Sequence, residues 1–369
     1  MLLKGDIDFN MKIVAILASG TGGHVYPAYT IAEEYISRGY KILWIGTKNG
    51  LENRVINNSS IIIEHVSSQG IRGKSPLKKI LGLFNFIRSI YESFKLLKKY
   101  QPSLTIGFGG YVSVGASITS SLLSIPLIVH EQNSIAGTAN RINYYFAKRV
   151  YETFPLSFKK NNKKIMHTGN PVRPSFDKVK KPEEKYIDNN PCMNILVMGG
   201  SQGAEFLNNT MPFSFSHFYN INISIKHISG PSHEESVKNK YLKYSIDATV
   251  VAYSENIEEL YDWADLVICR AGSTSISELA KIGIAALLVP FPYATDNHQF
   301  FNASYLAKNS AAILLEEKVD FIENFITITN ILLNDQKRMY MLSKNIQNIF
   351  PLNTISIIME DSLKLINKS

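Results

Sequence analysis

Apolar residues along this chain come in short runs, each followed by a glycine-rich or polar step and then by a longer stretch with helical spacing. Lys12–Ala18 reads as a strand, Pro27–Arg38 as a helix and Lys41–Gly46 as a strand. Leu104–Phe108, Val112–Leu123 and Pro126–Val129 repeat that order, and Asn194–Met198 restarts it ahead of a glycine turn and a helix. Leu266–Cys269, Ser273–Lys281 and Ala285–Val289 give it once more. Strand runs alternating with helical stretches predict parallel sheets covered by helices on both faces. The stretches starting at Leu104 and Leu266 share the order strand, glycine turn, helix, strand, so the halves echo each other. The predicted fold class is α/β: two doubly wound, Rossmann-like domains facing a cleft. In such sheets ligands sit beyond the carboxyl ends of the strands. The predicted bounds are residues 11–173 for an N-terminal domain, 174–190 for a linker of mixed charge and proline, and 191–345 for a C-terminal domain. Residues 346–369 then form a helical segment that packs back on the N-terminal domain.

The length of 369 residues gives each domain an ordinary core, and 45% apolar with 19% charged residues describes a globular chain. The net charge of +8 is unevenly placed. Residues 1–190 hold 26 basic and 13 acidic side chains, whereas the remainder holds 13 and 18. Arg72 to Lys99 alone carry eight basic groups against Glu92, so the excess is a local patch. Cys192 and Cys269 cannot make a disulfide framework or a multi-thiolate zinc site, and they fit a reducing compartment. The sole D-x-D, Asp6-Ile7-Asp8, precedes the first strand, and the histidines lack ligand spacing; no metal and no cofactor is predicted. Lys4, Asp6 and Asp8 exclude a signal peptide in Met1–Asn10, and Met11 offers a second start. Gln101–Val129 has no charged side chain, yet its glycines and Pro126 fit strand, turn, helix, strand and not a membrane span.

Three turns carry candidate chemistry. Ser19-Gly20-Thr21-Gly22-Gly23-His24 joins the first strand to the first helix, where glycines admit a ligand to the backbone and the helix start favours an anion. It is neither a Walker loop nor a dinucleotide fingerprint, since no Lys-Ser or Lys-Thr follows and His24 stands where a third glycine is needed. His24 reads either as a packing residue or as a base facing the cleft. Gly199-Gly200-Ser201-Gln202-Gly203-Ala204 is the matching turn of the second half, a phosphate cradle or a plain turn. In Arg270-Ala271-Gly272-Ser273-Thr274-Ser275-Ile276-Ser277-Glu278, the carboxylate is placed to accept both hydroxyls of a ribose, or else to close a capping box with Ser275. Asp296-Asn297-His298-Gln299 with Asn302 suits sugar hydroxyls or a solvated loop.

The basic segment has its own pattern. Leu77, Ile80, Leu81 and Phe84 recur at helical spacing, flanked by Lys74, Lys78, Lys79 and Arg88. That is an amphipathic surface for anionic lipid, or an ordinary helix with a solvated basic face. Few aromatics interleave with the basic residues, which ranks nucleic acid last.

"SGTGGHVYP", "GFGGYVS", "HEQNSIAG", "GNPVR", "GGSQGA", "CRAGSTSISE" and "DNHQFFNA" follow one another as in the MurG family, which the chain resembles from about Lys12 to Ala303. The resemblance implies the GT-B fold and an inverting hexosyltransferase. Such an enzyme moves GlcNAc from UDP-GlcNAc to the muramyl 4-hydroxyl of lipid I, giving lipid II for peptidoglycan synthesis. It further implies a peripheral protein on the cytoplasmic face of the bacterial inner membrane. The implied partners are UDP-GlcNAc, lipid I, anionic phospholipid and other cell-wall synthesis proteins, with no nucleic acid. Carried over by position, donor contacts fall on Thr21, Gly22, Gly23, Asn133, Arg173, Ser201, Ser254, Ser273, Thr274, Ser275, Ile276, Ser277, Glu278 and Gln299. Glu278 holds the uridine ribose, Gln299 the sugar, and Arg173 with Ser201 the nucleotide and its diphosphate. His24 is the candidate general base, and Gly109, Gly110, Tyr111 and Glu131 receive the acceptor diphosphate. Ser19, Val114-Gly115 and Ser254 depart from the family pattern, which has glycine, Gly-Pro and an apolar residue there. The rival readings are a glycolipid glycosyltransferase or UDP-GlcNAc 2-epimerase of the same fold, and a non-catalytic sugar-nucleotide-binding membrane protein.

Overall fold

The structure, a computed structural model, describes residues 12–67, 76–186, 192–200, 202–218 and 221–367, the side chains of 76–83 excepted. Two compact units emerge: the residues through Pro171 together with those from Asn353, and Val172–Leu352.

Unit 1 holds seven strands: β1 Ile13–Leu17, β2 Lys41–Gly46, β3 Ile61–His65, β4 Leu104–Gly107, β5 Leu127–Glu131, β6 Arg149–Glu152 and β7 Ile165–His167. Their order is β3-β2-β1-β4-β5-β6-β7, all parallel, with Val14 opposite both Ile42 and Leu104. Every residue of β1 is buried, which is why its sequence is an unbroken apolar run: helices cover both faces. On one face Ile31, Tyr35, Trp44 and Ile106 pack with Ile358 and Met359 of the C-terminal helix Thr354–Ile366. That helix is tied down by polar contacts as well. The Tyr35 hydroxyl donates to Ser362, and Tyr151 Oη and Arg149 Nε reach Asp361 Oδ2 at 3.0 and 3.1 Å. The opposite face buries Leu17, Ile45, Leu97, Val112 and Ala116 under helices Pro76–Tyr100 and Val112–Leu122. A Cβ on Gly115 would lie 2.8 Å from Ser89 Oγ, so the glycine that departs from the family pattern lets these two helices touch.

Unit 2 repeats the design with β8 Met193–Met198, β9 Ile223–Ile228, β10 Ala248–Val251, β11 Leu266–Cys269, β12 Ala285–Leu288 and β13 Ile313–Leu314. The order β10-β9-β8-β11-β12-β13 is again parallel and again places the first strand beside the fourth. The echo between the halves is therefore a shared strand permutation. Its switch points, β1 beside β4 and β8 beside β11, mark where ligands are expected.

Three boundaries differ from the sequence reading. The first helix runs Gly22–Ser37 and not from Pro27; a proline six residues in forfeits one hydrogen bond near the start, which the helix tolerates. Residues 174–186 are not a linker. Phe176 and Tyr186 are buried, Lys185 Nζ donates to the carbonyls of Tyr261, Asp262 and Ala264, and the Tyr186 hydroxyl bonds Asp265 and Ala285. The mixed charges of that stretch concealed two aromatic anchors; residues 187–190 lie outside the described residues. The return to unit 1 comes at Asn353, seven residues later than expected, because helix Gln336–Gln347 belongs to unit 2 through Met339 and Leu342. Among the described residues no helix is long and apolar enough to cross a membrane.

Candidate active site

The residues singled out from the sequence fall into two sets, one at the carboxyl edge of each sheet. In unit 1 the turn after β1 is anchored by the Trp44 indole, which donates to the Ala18 carbonyl at 2.9 Å. Thr21, exposed, is the N-cap of helix Gly22–Ser37 and makes no side-chain cap. Helix geometry leaves the first amides, those of Gly22 and Gly23, without an intrahelical acceptor, and a helix start so arranged suits an anion. His24, one residue on, is partly buried with Nδ1 3.3 Å from the Ser19 carbonyl. A carbonyl only accepts, so the proton sits on Nδ1 and Nε2 is the basic nitrogen of the neutral ring.

The turn after β4 closes on that nitrogen. Gly109 has φ +106°, and a Cβ there would stand 3.0 Å from His24 Nε2, so only glycine fits. The Gly110 carbonyl accepts from Ser113 Oγ at 2.8 Å, and Ser113 Oγ accepts from Asn143 Nδ2 at 2.8 Å. Tyr111 beside it is 40% exposed and available to a ligand.

Glu131 closes strand β5. It is buried, and its oxygens accept from the amides of Asn133 (3.0 Å) and Gly137 (3.0 Å) and from Asn140 Nδ2 (2.9 Å). Its carboxylate is engaged by the loop that carries Asn133, so in this structure it shapes that loop. The sequence reading missed His130 and Gln132. Buried His130 is held neutral, its pKa pushed down to about 4 by burial against a weaker pull from the Gly169 carbonyl, which lies 3.1 Å from Nε2. Gln132 Nε2 donates to the Phe108 carbonyl at 3.0 Å. "HEQ", "GNP" and "GFGG" thus meet in one knot beneath the glycine turn. Their shared apolar-then-polar wording at strand ends was the available signal.

In unit 2 the turn after β8 holds Gly199, Gly200 and Gly203, while Ser201 lies outside the described residues. Ser254, partly buried, follows β10. Helix Ser273–Ile282 follows β11 with Gly272 as N-cap and no side-chain cap, so the capping-box alternative falls: Ser275 is already inside the helix. Ile276 is buried and Ser277 Oγ turns back to the Ser273 carbonyl at 2.7 Å, so these two hold the helix. Thr274 Oγ1 is buried without a partner, four residues before Glu278 and on the same helix face.

Glu278 is the most perturbed carboxylate near this edge. Burial pushes its pKa up to about 7, against the opposing pull of the Arg173 charge and of the Tyr261 hydroxyl, which donates to Oε2 at 3.1 Å; Glu258 adds a small upward push. The Arg173 guanidinium sits 5.3 Å above the Phe176 ring. Such a carboxylate can accept a diol, while the arginine and the uncapped helix start beside it can neutralise a diphosphate. After β12, Gln299 Oε1 accepts from the Phe291 amide at 2.9 Å, leaving its NH2 group to donate to a sugar hydroxyl.

Arg270, from the same motif as Glu278, is structural. It is buried, pairs with Glu317 and donates to the carbonyls of Val289 and Pro290 at 3.2 and 3.4 Å. Arg270→Met leaves that acid uncompensated and is expected to cost about 3–5 kcal/mol of stability. Chemical denaturation checks this; an unchanged midpoint would refute it.

The basic segment forms helix Pro76–Tyr100. Phe84, Ile87 and Tyr91 are 65%, 59% and 59% exposed on one stripe, while Arg88 Nε is 2.8 Å from Glu92. Lys74 and the side chains of Leu77, Lys78, Lys79, Ile80 and Leu81 lie outside the described residues. Among the described residues no group of three or more His, Cys, Asp or Glu side chains is placed to hold a metal.

Comparison with known proteins agrees with both halves. The N-terminal domain of glycosyltransferase family 28 matches residues 14–152, and its C-terminal domain residues 194–353. A UDP-N-acetylglucosamine–N-acetylmuramyl-(pentapeptide) pyrophosphoryl-undecaprenol N-acetylglucosamine transferase of Ectopseudomonas mendocina is 37% identical over 326 residues, 88% of this chain and 90% of that protein. The chain belongs to the MurG family. A Pseudomonas savastanoi member is 39% identical over 82% of this chain and 85% of its own. Acinetobacter baumannii MurG superposes with a TM-score of 0.82 at 29% identity, covering 96% of this chain and 99% of that one. A Neisseria meningitidis UDP-GlcNAc 2-epimerase, at 14% identity and a TM-score of 0.66, shares the fold alone.

Proposed function

We propose that this chain transfers GlcNAc from UDP-GlcNAc to the muramyl 4-hydroxyl of undecaprenyl-diphosphate-linked MurNAc-pentapeptide, giving lipid II in peptidoglycan synthesis. Its MurG membership supports the reaction, and the His24 imidazole, with Nδ1 on the Ser19 carbonyl and Nε2 against the Gly109 turn, carries the chemistry. The acceptor oxygen attacks the anomeric carbon from the side opposite UDP, and the bond to the diphosphate oxygen breaks with its electron pair. His24 Nε2 takes the hydroxyl proton. Glu278 and Arg173 hold the nucleotide, Gln299 the sugar, and the helix start at Ser273 stabilises the charge that develops on UDP. No metal and no cofactor enters this reading. Labelled GlcNAc should pass from UDP-GlcNAc to a short-chain lipid I analogue; no product with UDP binding intact would overturn the proposal.

In the same reading the protein is peripheral on the cytoplasmic face of the inner membrane. The exposed stripe Phe84, Ile87, Tyr91 among basic residues supports contact with anionic phospholipid. Lys78→Glu with Lys79→Glu is expected to weaken binding to vesicles containing phosphatidylglycerol at least about thirtyfold at low salt, since each basic group near such a surface contributes about 1 kcal/mol. Co-sedimentation reads the effect, and unchanged binding returns the segment to an ordinary surface helix.

A further inference from the structure

We infer that Tyr261 is a positioning residue for the nucleotide site: its hydroxyl fixes the orientation of the Glu278 carboxylate that receives the ribose. The inference rests on the reading of Glu278 given above and adds the group that makes it work.

Tyr261 is fully buried on helix Ile257–Trp263. Its hydroxyl donates to Glu278 Oε2 at 3.1 Å, and Met198 Sδ stands 3.4 Å away as a weak alternative acceptor. The ring packs against Phe176, centroids 5.8 Å apart, on which Arg173 also rests. Lys185 Nζ bonds the carbonyls of Tyr261, Asp262 and Ala264 at 2.9, 2.6 and 2.7 Å, closing the carboxyl end of the helix. The hydroxyl is therefore held at a fixed point. A carboxylate with one lone pair of Oε2 occupied there presents Oε1 and the outer lone pair of Oε2 elsewhere, which is the bidentate face a cis-diol needs.

The same bond affects protonation. The charged and titratable groups facing Glu278 are Arg173, Tyr261, Glu258 and the buried Cys269 thiol, itself pushed up to about 12 by burial. Of these, Arg173 and Tyr261 oppose burial and favour the ionised acid. Without the hydroxyl, Glu278 holds its proton to higher pH and accepts the diol poorly at neutrality.

Tyr261→Phe keeps the ring and removes only the bond. With the full chain and UDP as probe, calorimetry should read affinity about tenfold weaker at pH 7, with the loss shrinking at pH 9 where Glu278 is ionised in both proteins. The donor KM should rise in step while kcat at saturating donor stays within about twofold. Added to Glu278→Gln, Tyr261→Phe should change nothing further, because it acts through that residue. Met198→Leu, which spares the bond to Glu278, should keep the affinity of the unmodified chain. Unchanged affinity of Tyr261→Phe, or additive losses in the double variant, would overturn the inference. If Glu278→Gln itself left UDP binding intact, the ribose reading would fall, and this inference with it.

Discussion

His24→Ala is expected to lower turnover at least a hundredfold, with UDP affinity kept within about twofold. Two features set that magnitude. The Ser19 carbonyl beside Nδ1 leaves Nε2 as the basic nitrogen, and glycine at position 109 keeps a side chain from crowding it on that side. A general base so positioned contributes on the order of a hundred- to ten-thousandfold. In the proposed assignment the nucleotide contacts are Glu278 and Arg173 and not His24, so its affinity should scarcely move. Single-turnover transfer to a soluble lipid I analogue, with calorimetry of UDP, separates the two effects. Turnover near that of the unmodified enzyme would remove His24 from the chemistry.

Glu278→Gln should produce opposite changes in binding and stability. Losing an ionised acceptor of two ribose hydroxyls is expected to weaken UDP about a hundredfold at pH 8. The folded protein without ligand should nonetheless gain stability there. Burial lifts this acid from the ordinary 4.5 to about 7, so the folded state binds more protons than the unfolded state across that window. Stability therefore falls as pH rises from 4.5 to 7, and above 7 the whole penalty is present. Glutamine removes the penalty at pH 8 and changes little at pH 4, where the acid is already neutral in both states. A melting temperature higher than that of the unmodified chain at pH 8, with no difference at pH 4, is the expected result. The reverse order would mean that Glu278 stabilises the apo fold.

Strand-helix alternation and the glycine turns were legible in the residues because β1, β4 and β11 are buried throughout, and β8 along its last four residues, so they read as largely apolar runs. The outer strands were less legible. Ile165–His167 and Ile313–Leu314 are short and half-buried, with no pattern strong enough to separate them from loops. At the site, motif positions singled out His24, Arg173, Glu278 and Gln299 as candidates. They could not tell a carboxylate left open on one side from one engaged by its own loop. Glu131 and Glu278 each stand in a polar motif next to an apolar strand run, and the hydrogen bonds show how differently the two are engaged. Tyr261 was hidden for the same reason: a tyrosine on an acidic helix carries no mark of the residue its hydroxyl will meet.

The C-terminal helix that closes one face of unit 1 has a bearing on biosynthesis. Val172–Leu352 is one uninterrupted segment, whereas unit 1 is assembled from both ends of the chain. During translation the part of unit 1 through Pro171 emerges before unit 2, yet lacks Ile358, Met359 and Ile366 until unit 2 has been made. Unit 2 can therefore finish folding first, although it is made second. Unit 1 would wait with one face of its sheet incompletely covered, which makes that interval the point in the protein's life most open to chaperones and proteases.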